Sequence, residues 1–236
     1  MIDLSSIDYS QLPPALLGRL SFAHAPPENP PLMPGRNQLG IAAERDAVLY
    51  VPSGIDPAVA LPLLVMLHGA NGNAESVLPW LEEHAERERF LLLAPQSLFF
   101  TWDLVMGGNG PDLERLECAL AKVASHFFLD LKQFALAGFS DGGSYALSIG
   151  LTNGALVSHV IAFSAGFINL YLPQGAPKVL LAHGKQDEQL PVELHGRVHA
   201  ARLKADGYQL EYIEFDGKHQ LQPKVVAHAV EFLLKP

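Results

Sequence analysis

The chain has little of what a disulfide framework, a zinc module or a nucleic-acid surface requires. Cys118 is the only cysteine in 236 residues, which excludes an internal disulfide and a cysteine-rich zinc site. Sixteen lysines and arginines stand against 25 aspartates and glutamates, giving a formal charge of −9 without any basic block. Because affinity for a phosphate backbone depends on clustered Lys and Arg, we expect no nucleic-acid partner.

Long apolar runs are also missing. The most apolar stretch, residues 156–172, is interrupted by polar residues and falls short of the about 20 apolar residues that a membrane-spanning helix needs. The amino terminus shows neither the cationic nor the apolar segment of a secretory signal. We therefore expect no membrane span and, by default, a cytoplasmic location.

What the chain does have is a globular composition, with 49% apolar residues. No internal repeat and no linker after residue 40 is visible, so we expect a single domain over 1–236. Seven of the eighteen prolines lie between Pro13 and Pro34, which excludes a regular helix there. We expect residues 1–40 to be irregular around one short strand, Arg19–Ala25, wrapped over the edge of a sheet.

From Asp46 onward, short apolar runs alternate with segments of helical length. Runs that are apolar on both faces are typical of parallel strands covered by helices on each side. The predicted strands are Asp46–Val51, Leu63–Leu67, Phe90–Ala94, Gln133–Ala137, Val160–Phe163, Val179–Ala182 and Gln209–Phe215. The predicted helices are Glu75–Arg89, Leu113–Phe127, Ser144–Leu151, Val192–Lys204 and Pro223–Leu234. This alternation predicts an α/β fold with an open, mostly parallel sheet and right-handed crossovers.

A G-x-S-x-G pattern lies at residues 138–142, between a predicted buried strand and a predicted helix. In a sharp strand-to-helix turn, glycines on both sides of the serine allow the close packing that holds it in a strained conformation. The helix amino terminus then favours a developing anion. We therefore predict that Ser140 is a nucleophile; the alternative is a glycine-rich turn that contains a serine.

A serine nucleophile needs a histidine base and an acid that orients it, and in this class of sheet both follow the serine in the chain. Among ten histidines, His219 is the best candidate because it lies in the loop between the last predicted strand and the last predicted helix. Asp187, four residues past the end of a predicted strand, is the favoured acid. Its rivals are Glu188 and Asp216, and a capping or solvated role stays open for all three carboxylates.

An anion hole is the remaining part of such a site. In this fold, one N–H donor follows the third strand and the other belongs to the residue after the nucleophile. We assign the backbone N–H groups of Ala70 and Asp141 to these positions. The alternative for the first loop is a simple glycine turn into the next helix, capped by Asn73 or Ser76.

The segments LHGANGN, GFSDGG, IAFSAG, LAHGKQDEQLP and GKH, which lie in this order between about Leu61 and His219, resemble the α/β-hydrolase superfamily. They are most similar to the phospholipase/carboxylesterase group, which includes acyl-protein thioesterases and small bacterial esterases. This resemblance implies a Ser140–Asp187–His219 triad that hydrolyses carboxylic esters or thioesters. It also implies that Trp102, followed by an aspartate, lines the substrate pocket, although an ordinary core tryptophan fits the sequence equally well.

Three features depart from the family pattern. Asp141 stands where the family usually has Gln, so that a carboxylate beside the anion hole should disfavour a second negative charge. Lys218 replaces the usual small residue before the histidine, and residues 1–40 have no clear match. These departures affect the expected substrate and leave the predicted triad complete.

Only 15 residues, 164–178, separate two predicted strands at the point where larger members insert a helical cap. We therefore expect an open groove suited to small or extended soluble esters. A triad with two N–H donors needs no cofactor. His195 and His199, four apart on a predicted helix, could bind a metal, but without acidic partners we expect them to be surface or packing residues.

Other functions fit the same residues. A peptidase or an acyltransferase would use the same triad, and a ligand receptor on a hydrolase fold would have lost catalysis. Our leading hypothesis is a serine esterase acting on a small-molecule ester, as a monomer or a homodimer. The sequence leaves the acyl chain, the alcohol and the oligomeric state open.

Overall fold

Eight strands form one sheet in the order β1-β2-β4-β3-β5-β6-β7-β8 in a computed structural model that describes residues 12–22 and 25–235. The strands are β1 (Gly35–Gln38), β2 (Val48–Val51), β3 (Leu61–Leu67), β4 (Leu91–Ala94), β5 (Leu129–Phe139), β6 (His159–Phe163), β7 (Lys178–Gly184) and β8 (Leu210–Phe215). Six neighbouring strands are mutually parallel, namely β4, β3, β5, β6, β7 and β8. Strand β2 pairs antiparallel with both β1 and β4. The predicted mostly parallel α/β sheet is confirmed.

Helices cover both faces of this sheet. They are α1 (Ala74–Val77), α2 (Glu82–Glu88), α3 (Pro111–Ala124), α4 (Asp141–Thr152), α5 (Gly196–Ala205) and α6 (Pro223–Leu234). One buried apolar cluster joins α3, α4 and α5 to one face of the sheet, and a second joins α1, α2 and α6 to the other. The central strands are buried on both sides, which explains why their sequences are continuously apolar. None of the helices in the described part of the chain has the length and apolar character needed to cross a bilayer.

The helix predicted over Glu75–Arg89 is interrupted. The structure has α1, then a 3₁₀ turn at Leu78–Trp80, then α2. Pro79 lies inside this turn, and proline can neither donate the helical hydrogen bond nor avoid a clash with the preceding turn. The break turns the side chain of Trp80 partly toward solvent, with 38% of its surface exposed.

The amino-terminal segment differs from the prediction in its strand. Residues 19–22 and 25 form no strand, and the other two residues of the predicted Arg19–Ala25 strand lie outside the described residues. The segment is instead fixed at the end of α4, where the Asn153 side chain donates to the Gly18 carbonyl at 2.8 Å and accepts from the Leu20 N–H at 2.9 Å. The first strand that forms is β1. Its residues are polar and alternate between half-buried and exposed positions, so the sequence contains no apolar run that would predict it.

Candidate active site

Ser140 lies on the turn between β5 and α4 with φ 55° and ψ −119°. A positive φ is unfavourable for a residue with a Cβ atom and persists only where the surroundings enforce it. The Ser140 N–H donates to the Phe163 carbonyl at 2.9 Å, which fastens the turn to β6. The turn therefore places the serine side chain at the carboxyl edge of the sheet. The G-x-S-x-G motif predicts such a strained backbone at the serine.

The glycines around Ser140 are required by close backbone packing. A Cβ atom on Gly138 would lie 2.1 Å from the Gly142 carbonyl oxygen, and one on Gly142 would lie 2.4 Å from the Leu67 carbonyl oxygen. Both distances are far below van der Waals contact with backbone atoms that cannot move aside. The G-x-S-x-G pattern is therefore a steric condition of this turn.

The structure brings Ser140, His219 and Asp187 into one chain of hydrogen bonds. His219 Nε2 lies 2.8 Å from Ser140 Oγ, and His219 Nδ1 lies 2.7 Å from Asp187 Oδ2. The three residues come from the loops after β5, β8 and β7, whose parallel carboxyl ends meet at one edge of the sheet. With Nδ1–H donated to the carboxylate, Nε2 is free to accept the serine proton.

Asp187 is held firmly as an anion. Its side chain is fully buried, and Oδ1 accepts the N–H groups of Gln189 at 3.0 Å and Leu190 at 2.8 Å. Burial raises the pKa of Asp187, but the Leu190 N–H and the contacts with His219 and His183 outweigh it, so that the pKa lies below its ordinary value. His183, whose Nε2 is 3.3 Å from Asp187 Oδ2 and 2.7 Å from the Leu190 carbonyl, closes the other side of the carboxylate.

The two rival acids face solvent. The Glu188 side chain is 79% exposed and lies 3.3 Å from Lys218 Nζ. The Asp216 side chain is 83% exposed and lies 3.1 Å from Lys185 Nζ. Neither carboxylate is hydrogen-bonded to His219. Lys218, which departs from the family pattern, is thus paired with a surface carboxylate.

The backbone N–H groups of Ala70 and Asp141 form no hydrogen bond to any other described residue. Asp141 is the first residue of α4, where N–H groups have no partner within the helix. The loop that carries Ala70 approaches the serine closely, since a Cβ atom on Gly69 would lie 3.3 Å from Ser140 Cβ. Two unpaired donors beside a serine hydroxyl could bind an oxyanion.

His68, which the sequence reasoning did not single out, fixes the shape of this loop. Its Nε2 accepts the Ser97 N–H at 3.2 Å, so Nδ1 carries the proton and donates to the Gly69 carbonyl at 2.7 Å. Burial lowers the pKa of His68 to about 4, which keeps the ring neutral. The sequence feature that could have indicated this role is the His-Gly pair directly after a buried strand.

Trp102 does not line a substrate pocket, and this expectation from the family resemblance is corrected. Only 1% of its surface is exposed, because the ring stacks on Tyr145 with centroids 4.9 Å apart. Its Nε1–H donates to the His68 carbonyl at 2.8 Å. Trp102 therefore supports the loop that carries Ala70 from within the core.

The carboxylate of Asp141 is turned toward the loop after β4, where Oδ2 accepts the Thr101 hydroxyl at 2.5 Å. The same loop is closed by a buried acid pair: Asp103 Oδ2 accepts the Asp112 N–H at 2.9 Å, and Asp112 Oδ2 accepts the Asp103 N–H at 2.8 Å. Burial raises the pKa of Asp103 to about 6, with a further contribution from the Asp112 charge. Asp103 and Asp112 hold the loop, and neither carboxylate is hydrogen-bonded to Ser140.

His195 directly precedes α5, and His199 lies in its first turn. Their ring centroids are 6.2 Å apart, and His195 Nδ1 is engaged at 2.8 Å with the Gly166 carbonyl. Across residues 12–22 and 25–235, no three His, Cys, Asp or Glu side chains are arranged to hold a metal ion.

The chain is similar to several esterases. Feruloyl esterase C of Emericella nidulans is 28% identical over 175 residues, which are 70% of this chain and 62% of that protein, so the chain spans less than two thirds of this relative. A ferulic acid esterase from Anaeromyces mucronatus, solved with ferulic acid, superposes with a TM-score of 0.62 at 16% identity, covering 91% of this chain and 97% of that one. A phospholipase/carboxylesterase from Dyadobacter fermentans has a TM-score of 0.60 at 20% identity, covering 86% and 99%.

These structural likenesses show a shared fold. The family model for phospholipases and carboxylesterases matches residues 118–235, which is half of the chain and includes Ser140, Asp187 and His219. The chain belongs to the phospholipase/carboxylesterase family of α/β-hydrolases.

Proposed function

We propose that this protein is a serine esterase that cleaves carboxylic esters through an acyl-enzyme on Ser140. The observation that carries this proposal is the continuous hydrogen-bonded chain from Ser140 Oγ through His219 to Asp187, with distances of 2.8 and 2.7 Å. A hydroxyl so connected to an imidazole and a buried carboxylate is an activated nucleophile.

The reaction proceeds in two halves. Ser140 Oγ attacks the ester carbonyl while His219 Nε2 takes its proton, and the N–H groups of Ala70 and Asp141 stabilise the oxyanion. His219 then gives the proton to the leaving oxygen, the carbon–oxygen bond breaks, and the alcohol departs. Water then attacks the acyl carbon as His219 takes its proton, the bond to Ser140 Oγ breaks, and His219 returns the proton to the serine as the carboxylic acid departs. A thioester would react by the same steps with a thiol leaving group.

A fluorophosphonate reagent tests the nucleophile directly. Because it reacts with an activated serine hydroxyl, it should label this protein once per chain, and the mass increase should map to the peptide containing residues 138–143. Hydrolysis of p-nitrophenyl esters of graded acyl length, with a feruloyl ester included because of the fungal relative, would define the acyl preference. Labelling of another serine, or no labelling of folded protein, would contradict the proposal.

We also expect no activation at a lipid–water interface. The connection from β6 to β7 contains no helix, and it is fastened to α4 where Ser144 Oγ accepts the Gly166 N–H at 2.8 Å and Ser148 Oγ accepts the Asn169 N–H at 2.9 Å. A connection so tied forms no helical cap between β6 and β7 that an interface could open. Initial rates on p-nitrophenyl butyrate should follow the concentration of dissolved substrate and show no jump at its solubility limit, with the highest kcat/KM on short acyl chains. A sharp rise at that limit would point to a mobile cover.

A further inference from the structure

An apolar pocket of about 340 Å³ opens beside His219. It lies between the 3₁₀ turn at Leu78–Trp80 on one side and the loop from β8 to α6 on the other. Its walls include Ala70, Val77, Trp80, Phe139, His219 and Leu221. No Asp, Glu, Lys or Arg lines it among the described residues.

The proton path decides which part of an ester faces this pocket, and this step rests on the esterase function proposed above. His219 Nε2 must reach both Ser140 Oγ and the leaving oxygen, because it carries the proton from one to the other. The leaving alcohol therefore lies against His219, the oxyanion points to the N–H groups of Ala70 and Asp141, and the acyl chain extends away from the histidine. We propose that the pocket binds the alcohol portion of the ester and that Trp80 makes it selective for apolar, above all aromatic, alcohols.

The walls fit such a group. Val77 and Leu221 are buried, and the half-exposed ring of Phe139 packs against His219 with centroids 4.9 Å apart, so the pocket is bounded by apolar groups on several sides. The Trp80 ring is 38% exposed and is available to a planar partner. A volume at the small end of ligand pockets, which run from about 300 to 1,000 Å³, suits one ring or a short branched chain.

The same pocket would bind an alcohol that intercepts the acyl-enzyme. His219 would take the proton of that alcohol, its oxygen would attack the acyl carbon, and the bond to Ser140 Oγ would break as the proton returns to the serine. The product is a new ester in place of the acid. Benzyl alcohol should therefore compete with water better than methanol does at equal concentration.

Two ester series separate this pocket from any site for the acyl chain. The alcohol series compares benzyl acetate with methyl acetate, and the acyl series compares methyl butyrate with methyl acetate, each as a ratio of kcat/KM. In Trp80→Ala, the benzyl-to-methyl ratio should fall about tenfold, the scale on which a hydrophobic pocket discriminates between small groups. The acyl ratio should stay within about twofold, and Trp80→Phe should restore most of the alcohol ratio.

Val198, a 52% exposed residue of α5 outside the pocket, supplies the matched control, since Val198→Ala should change neither ratio. A change of the acyl ratio in Trp80→Ala, or equal alcohol ratios in Trp80→Ala and the parent, would overturn the pocket assignment. The yield of benzyl acetate from p-nitrophenyl acetate and benzyl alcohol gives a second readout, and it should fall in the same variant. Failure of the esterase function is distinguishable, because the parent would then neither react with fluorophosphonate nor cleave any ester of either series.

Discussion

Replacing Ser140 by alanine is expected to lower kcat for p-nitrophenyl acetate by about a millionfold and to abolish fluorophosphonate labelling. The variant keeps His219, Asp187 and both N–H donors but has no oxygen within 2.8 Å of His219 Nε2 to receive the acyl group. Only the slow attack of water, helped by the oxyanion donors, would remain. The measurement is kcat from steady-state kinetics on purified protein. Its far-ultraviolet circular dichroism spectrum should match that of the parent.

Ser53→Ala provides the control for this substitution. Ser53 is exposed and contacts Glu86 on α2, far from the carboxyl edge of the sheet, so its loss should leave kcat unchanged. A Ser140→Ala variant with the parental rate would mean that another residue is the nucleophile. Because the backbone of Ser140 is strained at φ 55°, a folded variant also shows that the turn is held by its surroundings and not by the hydroxyl.

The order of the elements could be predicted from the chain because each buried strand is a short, continuously apolar run. The predicted strand Leu63–Leu67 forms the greater part of β3, and the predicted helix Pro223–Leu234 is α6 with the same bounds. The β1 strand could not be predicted in this way. Its residues at an antiparallel edge are alternately half-buried and exposed, and a four-residue polar segment has the composition of a loop.

Only the part of the site that follows from the order of residues along the chain could be predicted from the sequence. Order after the serine selected His219, but it could not separate Asp187 from Glu188, which is its neighbour in the sequence. What distinguishes them is the turn after β7, which directs one carboxylate inward to two N–H groups and leaves the other 79% exposed. The position of Trp102 could not be predicted either. The family resemblance places the residue in the loop, but it does not tell whether the ring packs toward the core or toward the substrate.

Replacing Asp187 by asparagine is expected to lower kcat by about 10⁴, the loss seen where an analogous acid is removed and the imidazole adopts the wrong tautomer. The surroundings of Asp187 dictate how the amide must lie. Its oxygen has to stay on the N–H groups of Gln189 and Leu190, 3.0 and 2.8 Å away, so the NH₂ group faces His219 Nδ1. Nδ1 must then accept, the proton moves to Nε2, and the imidazole can no longer take the proton of Ser140.

Glu188→Gln and Asp216→Asn are the matched controls, because each removes one carboxylate charge from the same two loops. Both side chains are about four-fifths exposed and paired with lysines, so solvent screens their effect on His219 and each variant should change kcat by less than about tenfold. The comparison uses one ester at saturating concentration for all three variants. If Asp187→Asn were nearly silent while Glu188→Gln or Asp216→Asn lost most of its activity, the acid of this site would be the exposed carboxylate and the 2.7 Å contact between His219 and Asp187 would have no catalytic role.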